Sequence, residues 1–236
     1  MVLQALVLAG GLGTRLRDVI KDCPKPMAPV NGKPFLEYQL AFLKKNGIQD
    51  IVLSTGYMSE KIEEHFGSGK THGVSITYVK EKESLGTGGA IKNAVNMLEK
   101  QFLVLNGDSL FLIDITSMTD FHKKHNADMT LALAKIKDKS RYGSVDVDCN
   151  LQIKRFVEKE GSSSELINGG IYFFEKHNIA WDAFPSKFSI EKDFFPQLVV
   201  KNKIFGFVSD SYFIDIGTAK DYENFRKQLS AGIIQV

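Results

Sequence analysis

The feature that most limits what this chain can become lies at its start. Leu3 to Ala9 is an apolar run of the length and character of a buried β-strand. It stops at Gly10 and Gly11, and Gly13, Thr14 and Arg15 follow directly. A strand that breaks into a Gly-rich turn presents several backbone N–H groups at one edge of a sheet, and such groups bind phosphate. Arg15 adds a permanently charged, bidentate fork suited to phosphate oxygens. Lys25 sits between Pro24 and Pro26, so its backbone is stiffened on both sides and its ammonium is held in place. Two familiar phosphate loops are excluded. Gly11 and Gly13 begin a G-x-G-x-x-G, but Leu16 occupies the third position and no acidic residue stands about 20 positions further on. No Walker A sequence occurs in the stretch.

The pattern downstream predicts an α/β sheet. Phe35 to Asn46 carries apolar residues at helical spacing and stops at Gly47. Ile51 to Ser54 is a short strand, Ser59 reads as the N-cap of a helix over Glu60 to Phe66, and Val74 to Val79 alternates as a strand. The order β-α-β-α-β predicts parallel strands with right-handed crossovers and a ligand at their carboxyl ends, where the Gly loop lies. Leu85–Gly86–Thr87–Gly88–Gly89–Ala90 reads as a Gly-rich loop: its glycines are poor helix starters, and they admit a flat ligand close to the backbone. Phe102 to Leu105 is a further strand, with Asp108 at the same sheet edge as the Gly loop. His122 and His125 lie three apart on the predicted helix Ile115 to His125. Among Lys123, Lys124 and Asn126 they read as a solvated helix end rather than a metal pair. Tyr142 to Asp148 and Leu151 to Glu158 form a hairpin around Cys149–Asn150. Ser189 reads as an N-cap for a helix toward Lys201, and a last helix closes the chain from Ala219 to about Leu229.

Length and charge exclude other classes. The 236 residues, 43% hydrophobic and 25% charged, suit one large α/β domain. A formal net charge of +2 argues against nucleic acid or an anionic membrane as partner. No apolar run approaches a membrane span, and the start lacks a signal-peptide pattern. Cys23 and Cys149 have no metal-ligand spacing and read as reduced thiols of a cytoplasmic protein.

The long stretch Leu8 to Pro34 resembles the signature of the sugar-phosphate nucleotidyltransferases: L-A-G-G-x-G-T-R-L from Leu8 to Leu16, then Pro24–Lys25–Pro26, then Gly32–Lys33–Pro34. The resemblance runs from about Val2 to Leu229 with the motifs in the family's order. It implies a single Rossmann-like domain with a mixed, mostly parallel central sheet flanked by helices. It also implies a nucleotide-binding half over about residues 1–110 and a sugar-binding half over about residues 111–236. It implies that Leu8, Ala9, Gly10, Gly11, Gly13, Thr14 and Arg15 bind nucleotide, and that Gly86 and Thr87 belong to the base-binding loop. Asp108 and, from the late D-x-G-T segment, Asp215 would hold Mg²⁺. Gly143, the Glu158–Lys159 pair, Asn168 and Gly169 would meet the sugar. Glu158–Lys159 read alone is equally a solvated face.

The reaction so implied takes a nucleoside triphosphate and a sugar 1-phosphate to a nucleoside-diphosphate sugar and pyrophosphate. A phosphate monoester has a second pKa near ~6, so it is already a competent nucleophile at neutral pH and needs no dedicated base. The chemistry reduces to positioning and charge neutralisation by Arg15, Lys25 and Asp108. Glu81 stands where uridylyl-transferring relatives place a base-reading Gln. A carboxylate only accepts hydrogen bonds, and guanine offers two neighbouring donors, N1–H and the 2-amino group, so GTP is the expected donor. The other reading of Glu81, within Lys80–Glu81–Lys82–Glu83, is a solvated loop charge. Within the family, Leu8 to Ala90 is most similar to heptose 1-phosphate guanylyltransferases of bacterial surface-polysaccharide pathways. A mannose 1-phosphate guanylyltransferase, a uridylyl- or cytidylyltransferase, and a non-catalytic module that binds a nucleotide sugar are the alternatives. Partners are then small molecules, with a homodimer as the assembly such an enzyme allows.

Overall fold

The computed structural model describes residues 3–11, 13, 20, 22–136, 143–157 and 165–236. In chain order these form β1 (Gln4–Leu8), a ribbon of β2 (Pro29–Val30) and β3 (Lys33–Pro34), α1 (Phe35–Lys45), β4 (Asp50–Thr55), α2 (Ser59–Phe66), β5 (Ser75–Lys80), α3 (Gly86–Ala94) and β6 (Gln101–Asn106). The second half adds β7 (Ser109–Phe111), α4 (Ile115–Lys124), β8 (Met129–Lys135), the hairpin β9 (Ser144–Val147) and β10 (Ile153–Val157), and the long β11 (Leu166–Glu175). It ends with α5 (Phe195–Lys201), β12 (Ile204–Ser209), β13 (Phe213–Asp215) and α6 (Ala219–Ser230).

A nine-stranded sheet unites the two halves. β5, β4, β1 and β6 lie side by side and all parallel, as the β-α-β-α-β order predicts. β11 then runs antiparallel to β6 and to β8. β8 pairs in parallel with β12, so the sheet is mixed but mostly parallel, a Rossmann-like arrangement. Side chains of β1 alternate in burial between two cores. Ala5 and Val7 face the core made by Phe35, Leu40, Phe66, Met118 and Phe225, while Leu6 faces Ile91, Phe174, Trp181 and Phe194. Helices α1, α2, α4 and α6 thus cover one face and α3 and α5 the other. Among the described residues no helix is long and apolar enough to cross a membrane.

Three local expectations are corrected. The glycines from Gly86 onward do not form a loop: α3 begins at Gly86 itself. Propensity is overridden by packing. The N–H groups of Gly88 and Gly89 both donate to the Phe188 carbonyl, at 3.0 and 3.2 Å. A Cβ on Gly88 would fall inside the Phe188 ring's van der Waals envelope. Gly88 is therefore what lets the helix start lie against Phe188. Ser59 is not the cap but the first residue of α2; the cap is Met58, in the left-handed region at φ 53°. His122 is not solvated. It is 2% exposed, packs on the Phe173 ring with centroids 4.3 Å apart, and its Nδ1 lies 2.8 Å from Thr130 Oγ1. The helical period that exposes Lys123 and Lys124 turns His122 inward.

Candidate active site

The carboxyl ends of β1, β5 and β6 open into a cleft of about 1420 Å³. That is larger than a typical single-ligand pocket of roughly 300–1,000 Å³ and leaves room for two substrates at once. One wall is the Gly loop. β1 ends at Leu8, Ala9 N–H donates to Ser54 O at 2.8 Å, and Gly10, Gly11 and Gly13 continue along the cleft. Gly13 takes φ +58°, and any Cβ there would stand 3.0 Å from Lys25 Cβ, so the loop passes directly over the lysine. Ala9, expected to bind nucleotide, is fully buried and does not line the cleft; its N–H is taken by Ser54 O.

Lys25 sits in a 3₁₀ turn, Lys25–Met27, which the flanking prolines favour. Its Nζ is 2.7 Å from Asp108 Oδ2 and 3.8 Å from Asp215 Oδ1. The three side chains come from separate parts of the chain, the Pro-Lys-Pro segment, the turn after β6 and the end of β13. β13 pairs antiparallel with β7, which puts Asp215 opposite Ser109, one residue beyond Asp108. Ile216 N–H donates to Asp108 O at 2.9 Å and ties the two carboxylate-bearing segments together again. Gly107 N–H donates to Leu8 O at 3.1 Å, and a Cβ on Gly107 would collide with that same carbonyl. The glycine thus allows the Asp108 turn to reach the end of β1.

Two carboxylates converging on one cation form the donor set of a hard divalent ion that completes its shell with phosphate oxygens and water. Among the described residues no group of three or more His, Cys, Asp or Glu is placed to hold a metal unaided. The chemistry of the two carboxylates suits a Mg²⁺ ion shared with a phosphate-bearing substrate.

Glu81 follows β5 and packs directly against Gly10, where an added Cβ would collide with Glu81 Oε1. It is no solvated loop charge. Its Oε1 accepts from Ser54 Oγ at 3.0 Å and its Oε2 from Leu85 N–H at 3.1 Å, and its backbone N–H donates to Thr55 O at 2.7 Å. A carboxylate has about four acceptor sites, so acceptor capacity remains toward the cleft. Gly86 and Thr87 line the cleft beside it. Thr87 Oγ1 donates to Glu191 Oε2 at 3.1 Å and accepts from Ile190 N–H at 2.9 Å.

Gly143 and Asn168 also line the cleft. Asn168 Nδ2 donates to the hydroxyl of fully buried Tyr172 at 2.9 Å, and its Oδ1 accepts from Gly170 N–H at 2.9 Å. Burial pushes the Tyr172 phenol far above its usual range and keeps it a neutral hydroxyl. Gly169 does not line the cleft. It faces inward, where a Cβ would strike the Phe111 ring, and Gly170 lines the cleft instead at φ +75°. Thr14, Arg15, Glu158 and Lys159 lie outside the described residues. Sequence reasoning passed over Asn106, Ser109, Glu191 and Lys192, all at the cleft. The last two were legible only as an N-capped first turn after Ser189.

The nucleotidyl transferase family profile matches residues 4–232. The D-glycero-alpha-D-manno-heptose 1-phosphate guanylyltransferase of Aneurinibacillus thermoaerophilus is 45% identical over 228 residues, which are 96% of this chain and 98% of that protein. Its namesake from Campylobacter jejuni subsp. jejuni is 44% identical over 223 residues, 94% of this chain and 98% of its own. Among solved structures, HddC from Yersinia pseudotuberculosis complexed with GMP-PN superimposes with a TM-score of 0.87 at 36% identity, covering 97% of this chain and all of that one.

Proposed function

The chain belongs to the nucleotidyl transferase family, and we propose that it makes a guanosine-diphosphate sugar and pyrophosphate from GTP and D-glycero-alpha-D-manno-heptose 1-phosphate. The observation that carries the reading is the convergence of Lys25, Asp108 and Asp215 at a cleft that the Gly loop, Glu81 and Asn168 also line. A reacting pair of phosphates belongs at that convergence, with guanosine toward Glu81 and sugar toward Asn168.

Each group then has a task. The N–H groups of Gly10, Gly11 and Gly13 cradle the triphosphate, and Arg15 neutralises charge on the departing pyrophosphate. Lys25 exchanges its carboxylate partners for the oxygens of the two reacting phosphates. Glu81, fixed by Ser54 and Leu85, accepts from the guanine N1–H and 2-amino group. Gly143, Glu158, Lys159 and Asn168 meet the sugar. Asp108 and Asp215 would hold Mg²⁺, which when bound would supply charge neutralisation at the phosphates. The sugar phosphate, already ionised at neutral pH, attacks the α-phosphorus in line. No side chain need take a proton from it. Such substrates place the work in the cytoplasm and the product in surface-polysaccharide synthesis. A binding-only module has no need to keep Lys25, Asp108 and Asp215 in contact.

The deciding experiment is a matrix of GTP, ATP, UTP and CTP against heptose, mannose and glucose 1-phosphates, read as pyrophosphate release. Release that is greatest for GTP with the heptose 1-phosphate is expected. Greatest release with mannose 1-phosphate would reassign the sugar, and no release from any pair would remove the enzymatic reading.

A further inference from the structure

Gln39 is a polar side chain in the middle of α1, and it is completely buried. Its Nε2 donates to two carbonyls, Asn106 O and Ser109 O, both at 2.7 Å. Those carbonyls bracket Gly107 and Asp108, so a single amide staples both ends of the turn that carries the catalytic carboxylate. The orientation of the amide is fixed, because both partners are acceptors and only the NH₂ end can serve them. Its Oε1 is buried and has no partner among the described residues. An acceptor left unpaired is a cost to folding. The fold accepts that cost, which says that the residue is there for its two donors and not as filler.

The grip extends to the second carboxylate. Ser109 is the cross-strand partner of Asp215 in the β7–β13 pair, and Asp108 O accepts from Ile216 N–H at 2.9 Å. Holding Asn106 and Ser109 therefore fixes where Asp108 projects and where the strand bearing Asp215 must lie. Only an uncharged side chain with two forked donors can do this. A carboxylate would face two carbonyl oxygens, an aliphatic chain would leave both carbonyls unpaired, and a buried ammonium would place a second cation close behind Lys25.

We propose that Gln39 is the positioning residue of the Asp108–Asp215 pair: its amide, clasping the carbonyls of Asn106 and Ser109, sets the spacing at which the two carboxylates receive a divalent cation with the nucleotide phosphates. The inference rests on the reading of these carboxylates as the metal-holding pair of nucleotidyl transfer. Gln39 touches neither substrate nor metal and acts through the Asp108 turn.

The test uses Gln39→Met, which keeps length and flexibility and removes both donors. Mn²⁺ binding is measured on the protein with a non-hydrolysable GTP analogue, alongside the Mg²⁺ dependence of kcat and the KM for GTP and for sugar phosphate. Loosening the support of a metal ligand lowers metal affinity or turnover by about 10–100-fold. The expected result is a weakening of Mn²⁺ binding and a fall in kcat of that size, with the KM for sugar phosphate unchanged. A merely structural role would lower the melting temperature and the folded fraction, and leave cation affinity per folded molecule as in the wild type. That result overturns the proposal. If Gln39→Met does not fold, Gln39→Asn, which keeps the donors but retracts them by one methylene, carries the same measurement with the same two outcomes. A wild-type protein that binds no Mn²⁺ with the GTP analogue overturns the underlying reading as well. Wild-type binding that Gln39→Met shares overturns the role of Gln39 alone.

Discussion

Lys25 and Asp108, 83 residues apart in sequence, meet in an ion pair of 2.7 Å. With Asp215 at 3.8 Å, the ammonium fills the gap between two carboxylates. The lysine thus neutralises the two carboxylates that would hold a divalent cation. Triphosphate oxygens would offer Lys25 other partners and leave both carboxylates to such a cation.

Lys25→Met is therefore expected to act in two opposite directions. Turnover falls by roughly 10²–10³, the loss typical of removing one charge-stabilising group. Mn²⁺ binding in the absence of nucleotide becomes tighter than in the wild type, because the carboxylates lose their built-in cation. Titration calorimetry and pyrophosphate release check the two arms. Near-wild-type turnover would reduce Lys25 to a structural ion pair.

Asp108→Asn is expected to lower activity and weaken the response to Mg²⁺ together, since an amide is a poorer ligand for a hard cation. Chelation of all divalent ions should abolish wild-type turnover. Full activity after chelation would eliminate the metal and with it the part given to Asp215.

Much of this was legible in the sequence, and the limits have physical causes. The parallel half of the sheet followed from apolar runs separated by helical periods. The reversal at β11 did not, because a buried strand has the same apolar pattern in either direction. The approach of Lys25 to Asp108 was available only through motif resemblance, since no local pattern encodes a contact between distant segments. Gln39 was silent: one amide among Phe35, Leu36, Leu40 and Leu43 looks like an ordinary break in an apolar face. Its partners are backbone carbonyls, which leave no mark on the sequence. The opening of α3 at Gly86 was read as a loop because its helical state depends on Phe188, about 100 residues later, and local propensity cannot see that residue.

Gly88, buried in α3, and Gly11, on the cleft, separate packing from binding. At Gly88 an added methyl would enter the Phe188 ring, whereas at Gly11 it would meet none of the described residues within 4 Å. Gly88→Ala is expected to destabilise the protein by about 1–3 kcal/mol, the usual cost of overpacking. Gly11→Ala should leave stability within about 0.5 kcal/mol, as for surface changes away from packed features. It should raise the KM for GTP, because the methyl projects into the phosphate wall. Urea unfolding and steady-state kinetics on both variants check the contrast. An unchanged KM in Gly11→Ala would remove Gly11 from the phosphate cradle.

His122 predicts a pH dependence of stability. Burial pushes its imidazole below the ordinary value, while Glu175, 3.5 Å from its Nε2, and the charge of Asp128 pull it back in part; Lys123 adds to the lowering. The folded state thus holds this proton less tightly than the unfolded chain does. The associated stability is complete above the ordinary imidazole pKa of about 6.5 and is lost as pH falls from there toward the folded value. Urea midpoints measured from neutral to mildly acidic pH should decline in the wild type and decline less in His122→Gln. Equal slopes would show that other groups govern the acid limb.

The last expectation concerns the base. Glu81 is held from two sides, by Ser54 Oγ on one oxygen and Leu85 N–H on the other. A carboxylate so fixed presents only acceptors to a ligand. Guanine faces it with two adjacent donors, while uracil and cytosine each set an acceptor beside their single donor, which would be left unpaired. Sites built to hydrogen-bond one group reject a mismatched partner for that reason. Glu81→Gln replaces one acceptor with an NH₂ group. If that group turns toward Leu85, two donors oppose each other and the side chain loses its anchor. If it turns toward the base, it repels the guanine edge and welcomes a pyrimidine carbonyl. Either way the preference for GTP over UTP should fall by roughly 1–3 kcal/mol, the scale of one buried hydrogen-bond mismatch. The ratio of kcat/KM for the two nucleotides measures it directly. A wild-type ratio in the variant would mean that Glu81 serves only to hold the turn at Leu85, and that the base is read by other groups lining the cleft.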